Sequence, residues 1–145
     1  MIGGLFLEDL TVGQSAERTV TIRAADIEAF AAVSGDTNPL HLDEAYALAT
    51  PFKGRIAHGM LLGAYISALL GTELPGPGAI YAAQTLTFKR AVRIGDEVLI
   101  RVAVTAIDEK AGAATLSTSC SVGRKSMLTG EATVLVPRRP VGVAA

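Results

Sequence analysis

Cysteine occurs once in this chain, at Cys120, so no internal disulfide can form, and the residues around it show no metal-ligand spacing. A lone cysteine in a strand-like stretch is a small buried hydrophobe more often than a nucleophile. Long apolar runs are missing too. The longest uncharged one, Gly59 to Thr72, falls short of the roughly 20 residues that a membrane-spanning helix needs, so it reads as a buried core helix. Neither sign of charge prevails: a formal net charge of −1, with no lysine or arginine block longer than a pair before the tail, offers no general attraction to polyanions and argues against a nucleic-acid partner. The first residues hold no basic stretch followed by an apolar one, so no secretory signal is expected and the cytoplasm is the expected address. Internal repeats and low-complexity segments are absent as well.

What is present suits a soluble globular protein. With 145 residues, half of them hydrophobic, the chain can bury one full core but not two, so a single domain over residues 1–145 is expected. Its core spans about 10–137, and the tail 138–145, with Arg138, Arg139 and Pro140 followed by small residues, reads as a loosely ordered end. Gly13 marks a turn, and the alternation of Arg18, Val20 and Ile22 predicts a first strand. Ile27, Phe30, Ala31 and Val33 recur near helical spacing from Ala24 onward, with Asp26 early, where it suits the helix dipole. Gly35, Asp36, Asn38 and Pro39 then predict a surface loop over Ser34 to His41, and Asp43 can cap a short helix through Ala49.

The Gly59 to Leu70 run predicts the central helix, ended by Gly71. Four strand-like stretches follow, Ile80 to Phe88, Glu97 to Ile107, Ala114 to Val122 and Met127 to Val136. Their gaps, Ile94-Gly95-Asp96, Asp108 to Gly112 and Gly123 to Ser126, have lengths expected between antiparallel neighbours. The central helix is apolar nearly all round and must be enclosed, which places the chain in the α+β class: an antiparallel sheet of about five strands wrapped around one helix.

The chemistry concentrates in two short segments. Asp36 and His41 lie five positions apart around Asn38 and Pro39, whose restricted backbones can aim a carboxylate and an imidazole at one spot. Such a pair can hold and activate a water. The plain alternative is that Asp36 ends one helix and His41 begins the next. Gly59, at the start of the long helix, stands where free N–H groups favour negative charge and where the missing side chain lets a carbonyl approach. It is an oxyanion-hole candidate or a close-packing glycine. Gly59, Gly63, Ser67 and Leu70 recur along one mostly small-residue helix face, which either admits an acyl chain or lets the helix sit close to its sheet. His58 suits a structural role, orienting the loop by hydrogen bonding, better than that of a base. The two histidines are 17 residues apart, so no metal site is expected. Lys53, Arg55, Lys89, Arg90 and Arg93 can meet the phosphates of a nucleotide-bearing substrate or serve as solvated surface charge.

Ser34-Gly35-Asp36-Thr37-Asn38-Pro39-Leu40-His41, followed by Ile56-Ala57-His58-Gly59-Met60, resembles the MaoC-like family of (R)-specific enoyl-CoA hydratases. Phe88-Lys89 and Ile94-Gly95-Asp96-Glu97-Val98 also resemble the family's pattern, and the likeness runs from about Leu10 to Pro137. The resemblance implies a hot-dog fold, a homodimer or higher homo-oligomer, and hydration of trans-2-enoyl-CoA to (R)-3-hydroxyacyl-CoA by syn addition. The coenzyme A thioester is then the substrate, and no separate cofactor is implied. Carried over by position, Asp36 and His41 are the acid-base pair around the catalytic water and Gly59 supplies the oxyanion N–H. Asn38, Ser67 and Leu70 form the substrate-binding set, Asn38 supporting the loop and the other two lying along the acyl pocket. The same signature serves dehydratases of acyl-carrier-protein thioesters, and the same fold hosts thioesterases and noncatalytic acyl-CoA-binding subunits.

Overall fold

Strand β1 (Ser15–Thr21) leads through Ile22 into helix α1 (Ala24–Ser34), in a computed structural model that describes residues 3–142. Asp26 does more than complement the dipole. Its carboxylate accepts from the Arg23 backbone N–H at 3.1 Å and pairs with the Arg23 guanidinium at 2.9 Å, closing the first turn of α1. Gly35 ends the helix in the left-handed conformation, φ 80°, and its N–H reaches the Ala31 carbonyl at 2.9 Å.

The stretch expected as an open loop up to His41 folds again at Pro39, which starts helix α2 (Pro39–Leu42). Proline's fixed φ and missing N–H cost nothing at the first helical position, and Asn38 caps the turn by accepting the Leu40 N–H at 3.0 Å. The consequence is a division of environments: Asp36 stays exposed, while His41, now on a helix, is only 8% exposed. Asp43 caps α3 (Glu44–Leu48) through the Tyr46 N–H, as its position in the sequence predicts.

Helix α4 (Gly59–Thr72) runs through Gly71 rather than ending there. Its last carbonyls are taken by N–H groups further on, Glu73 and Leu74 to Leu69 and Gly76 to Leu70, and it is Gly76 that adopts a positive φ of 89°. Strands β2 (Ile80–Phe88), β3 (Glu97–Asp108), β4 (Ala113–Val122) and β5 (Lys125–Leu135) join β1 in one antiparallel sheet of order β1-β3-β4-β5-β2. Ile94-Gly95-Asp96 therefore does not join neighbours: β2 and β3 lie apart in the sheet, and the turn instead docks on the end of β1, where Ile22 exchanges hydrogen bonds with Gly95 and Asp96. The other two gaps are hairpin connections.

Alternation decides which face meets the helix. Val98, Ile100, Val102 and Val104 of β3, Ala114, Leu116 and Cys120 of β4, and Leu128, Ala132 and Val134 of β5 are buried in one cluster with Leu61, Leu62, Ile66, Leu69 and Leu70 of α4. Each leucine or isoleucine so buried contributes on the order of 2 kcal/mol of hydrophobic free energy, gross of entropy. This is the α+β hot-dog arrangement, with α4 packed on one face of a five-stranded antiparallel sheet. The helix is not fully enclosed, however. Met60 and Ala64 on its outer side are exposed, and β2, at the sheet edge, leaves Ile80, Tyr81 and Phe88 open to solvent.

The beginning of the tail is tied down. The Arg139 N–H donates to Glu8 Oε1 at 2.7 Å, its guanidinium pairs with Asp9 and lies over the Phe6 ring, and Arg138 donates to the Glu109 carbonyl. Residues 143–145 of the expected loose end lie outside those described.

Candidate active site

The loop after α1 is built from its own side chains. Ser34 Oγ donates to the Phe30 carbonyl and accepts the Asp36 N–H, and Asp36 Oδ1 accepts the Asn38 N–H at 3.3 Å. Asp36 is thereby presented beside the N-terminus of α4, where a donor atom each from Asp36, His41 and His58 lie within 4.8 Å of one another. The sequence-predicted pair is brought together, with His58 as a third member.

Both imidazoles have assigned tautomers. His41 Nδ1 lies 2.8 Å from the Ile56 carbonyl, and because a carbonyl only accepts, Nδ1 carries a proton, which in the neutral ring leaves Nε2 as the acceptor. By the same reasoning His58 Nε2 donates to the Asp36 main-chain carbonyl at 3.0 Å. His58 Nδ1 is buried without a hydrogen-bond partner, and the side chain is 1% exposed. The 17 positions between the two histidines do not part them in the fold, where their rings stack with centroids 3.9 Å apart. Their planes are 28° from parallel, so the rings lie face to face.

Gly59 opens α4, and its N–H, like that of Met60, has no carbonyl within the helix to bond. A Cβ there would stand 2.5 Å from Phe88 Cε1, so the missing side chain also leaves the half-exposed Phe88 ring its place over the helix start. Asp36, His58, Gly59, Met60 and Phe88 share the walls of a groove of about 470 Å³, whose lining also includes Lys89 and Arg90. Lys53, Arg55 and Arg93 are not part of that lining, and Arg55 turns inward to bond the His41 carbonyl.

A second groove of about 560 Å³ runs between α4 and β2, lined by Phe30, Met60, Gly63, Ala64 and Ser67 on one side and by Tyr81 to Gln84 and Leu86 on the other. Met60 borders both grooves. Ser67 faces this space as the helix spacing predicts, but Leu70 does not: at 2% exposure it is part of the core beneath. Asn38 caps α2 and lines neither groove. Sequence reasoning missed Gln84, whose amide nitrogen donates to the buried Thr118 hydroxyl at 2.9 Å, across Gly130, where a side chain would collide with the Thr85 carbonyl. It also missed Phe30 and Phe88, since an aromatic at an ordinary core spacing carries no signal of a groove wall. Cys120 is buried in the core, and burial pushes its thiol up to about 12, far from any nucleophilic thiolate.

Known proteins resemble this chain along most of its length. The family model described as "MaoC like domain" matches residues 8–123. An (R)-specific enoyl-CoA hydratase of Rhodospirillum rubrum is 53% identical over 134 residues, spanning 92% of this chain and 93% of its own. A 3-hydroxybutyryl-CoA dehydratase of Methylorubrum extorquens is 47% identical, spanning 93% of this chain and 86% of its own. Among solved structures, the (R)-hydratase from A. caviae involved in PHA biosynthesis superposes with a TM-score of 0.87 at 49% identity, covering 90% of this chain and 99% of that one.

Proposed function

The chain belongs to the MaoC-like domain family, and on that premise we propose that it is an (R)-specific enoyl-CoA hydratase, a carbon-oxygen hydro-lyase that adds water to trans-2-enoyl-CoA to give (R)-3-hydroxyacyl-CoA. The reading is carried by one observation, the convergence of Asp36 and His41 beside the N-terminus of α4. A water held between the carboxylate and the free Nε2 of His41 attacks C3 of the enoyl group. The Gly59 N–H meets the thioester oxygen as enolate charge develops, adding a preorganised donor where the transition state needs it. The pair takes one proton from the water and returns one to C2 on the same face, so the addition is syn and the enzyme ends as it began. The same steps reversed remove water from a 3-hydroxyacyl thioester. No electrons are transferred, and the chemistry calls for no redox cofactor.

The acyl chain follows the groove between α4 and β2, passing Met60 and Ser67, and the coenzyme A phosphates meet Lys89 and Arg90 at the mouth of the other groove. A homodimer closes the assembly. The unpaired, apolar-flanked edge of β2 pairs with the same strand of a second copy, which removes an exposed edge and covers Ile80 and Tyr81. None of the described helices is long and apolar enough to cross a membrane.

The test is loss of the enoyl-thioester absorbance with crotonyl-CoA, with chiral analysis of the product. Wild type yields (R)-3-hydroxybutyryl-CoA, and Asp36→Asn and His41→Gln each lower kcat by about a thousandfold. Release of free coenzyme A would replace this reading by thioester hydrolysis.

A further inference from the structure

We propose that Arg55 is a positioning residue for His41, an inference that rests on His41 acting in the reaction. Helix α2 is four residues long, too short to hold its own shape, so the aim of His41 must be set by contacts from elsewhere. Beside the His58 ring stacked on His41, the hydrogen bonds that do so come from one dipeptide. The Arg55 Nε–H donates to the His41 main-chain carbonyl at 2.6 Å, Ile56 accepts the His41 Nδ1–H at 2.8 Å, and the Ile56 N–H reaches the Leu40 carbonyl at 3.4 Å. The backbone and the ring of His41 are thus held by two successive residues, and the Arg55 bond is the one supplied by a side chain.

Packing alone does not account for an arginine here. Its side chain is 13% exposed, its Nη2 is buried with no hydrogen-bond partner, and its nearest carboxylate, Glu28 of α1, stands 3.7 Å away and is largely in water. A buried cation with so little compensation is costly, and an apolar side chain of similar volume would fill the space at lower cost. What the guanidinium adds is a rigid, charge-assisted donor pointed at one carbonyl, with Glu28 steadying its far end from α1. Without that donor α2 can rotate, the His41 ring turns with it, and Nε2 leaves the line between the water and C3, while the grooves that bind the thioester are untouched.

The experiment compares Arg55→Met and Arg55→Lys with wild type and His41→Gln, by crotonyl-CoA kinetics, thermal unfolding and proton NMR of the imidazole N–H that disappears in His41→Gln. We expect folded Arg55→Met to lose about ten- to a hundredfold in kcat with KM within about twofold, and to lose or broaden the His41 Nδ1–H resonance. Arg55→Lys, which keeps a charged donor without the planar fork, should recover part of kcat and show a shifted resonance. Wild-type kcat in Arg55→Met, or a fall in kcat with the His41 resonance intact and no recovery in Arg55→Lys, overturns the assignment. Should Arg55→Met not fold, Arg55→Lys decides: a lowered kcat with a shifted resonance supports the role, and a variant indistinguishable from wild type ends it. Activity retained in His41→Gln would remove the premise, a result distinct from all of these.

Discussion

The rings of His41 and His58 lie face to face with centroids 3.9 Å apart, and the Phe30 ring lies tilted against His58 at 4.9 Å. Since His58 also donates to the Asp36 carbonyl, one buried side chain touches both members of the proposed acid-base pair. The loop and the short helix that carry Asp36 and His41 are in this way indexed to the residue immediately before Gly59.

His58→Gln and His58→Phe separate the two contacts. A glutamine amide can still donate to the Asp36 carbonyl, whereas phenylalanine keeps the ring face and leaves that carbonyl without its partner. Steady-state kinetics should show kcat down about tenfold for the glutamine variant and about a hundredfold for phenylalanine, with KM nearly unchanged in both. Full kcat in His58→Phe would mean that the Asp36 bond does no catalytic positioning.

Gly59→Ala tests whether the helix start is needed for chemistry or only for packing. The added methyl meets the Phe88 ring, which is half exposed and free to swing away, and alanine favours the helix, so thermal stability should shift by no more than about 1 kcal/mol. Activity should fall by more than tenfold, because the displaced ring and the methyl both intrude where the thioester oxygen approaches the N–H. An active Gly59→Ala enzyme would assign the glycine to packing.

Acid should free the anchored part of the tail before it unfolds the sheet. The Arg139 N–H holds Glu8 below its ordinary 4.5, and the Phe6 N–H with the Arg139 guanidinium holds Asp9 below its ordinary 3.8. Lowered values mean that the ionised carboxylates bind the tail, so the contribution is complete above the ordinary carboxylate range and vanishes as pH falls through and below it. The heteronuclear NOE of the Arg139 amide should therefore drop below about pH 4 while the amides of β3 and β4 stay rigid. A constant NOE down to acid unfolding would show the anchor to be independent of these carboxylates.

Most of the fold is legible in the residues themselves. The β-branched alternation of β3 and the small-residue, uncharged run of α4 each state both element and burial, because packing acts on periodicity. What escapes is whatever depends on pairing across distance. The three-residue link before Glu97 looks like a hairpin, yet the strand order sends β2 to the far edge, which no local signal encodes. At the site, the spacing of Asp36 and His41 and the glycine after His58 carry the proposed chemistry in short motifs. The stacking of His58 on His41, the inward turn of Arg55 and the bond from Gln84 to Thr118 span 14 to 34 positions, and only the folded chain reveals them. Pro39 is instructive for the opposite reason: its local meaning is ambiguous between loop and helix start, and the cap offered by Asn38 resolves it.

The edge position of β2 sets a schedule for the chain as it is synthesised. Its partner is β5, so Tyr81 to Leu86, which wall the groove beside α4, have no strand to pair with until Lys125–Leu135 has been made. Formation of the groove is therefore a late, long-range event, slower than closure of the β3-β4 and β4-β5 hairpins. A chain stopped between Val122 and Lys125 keeps Asp36, His41 and Gly59 but has no wall for the groove, with β2 unpaired and β4 lacking its β5 neighbour.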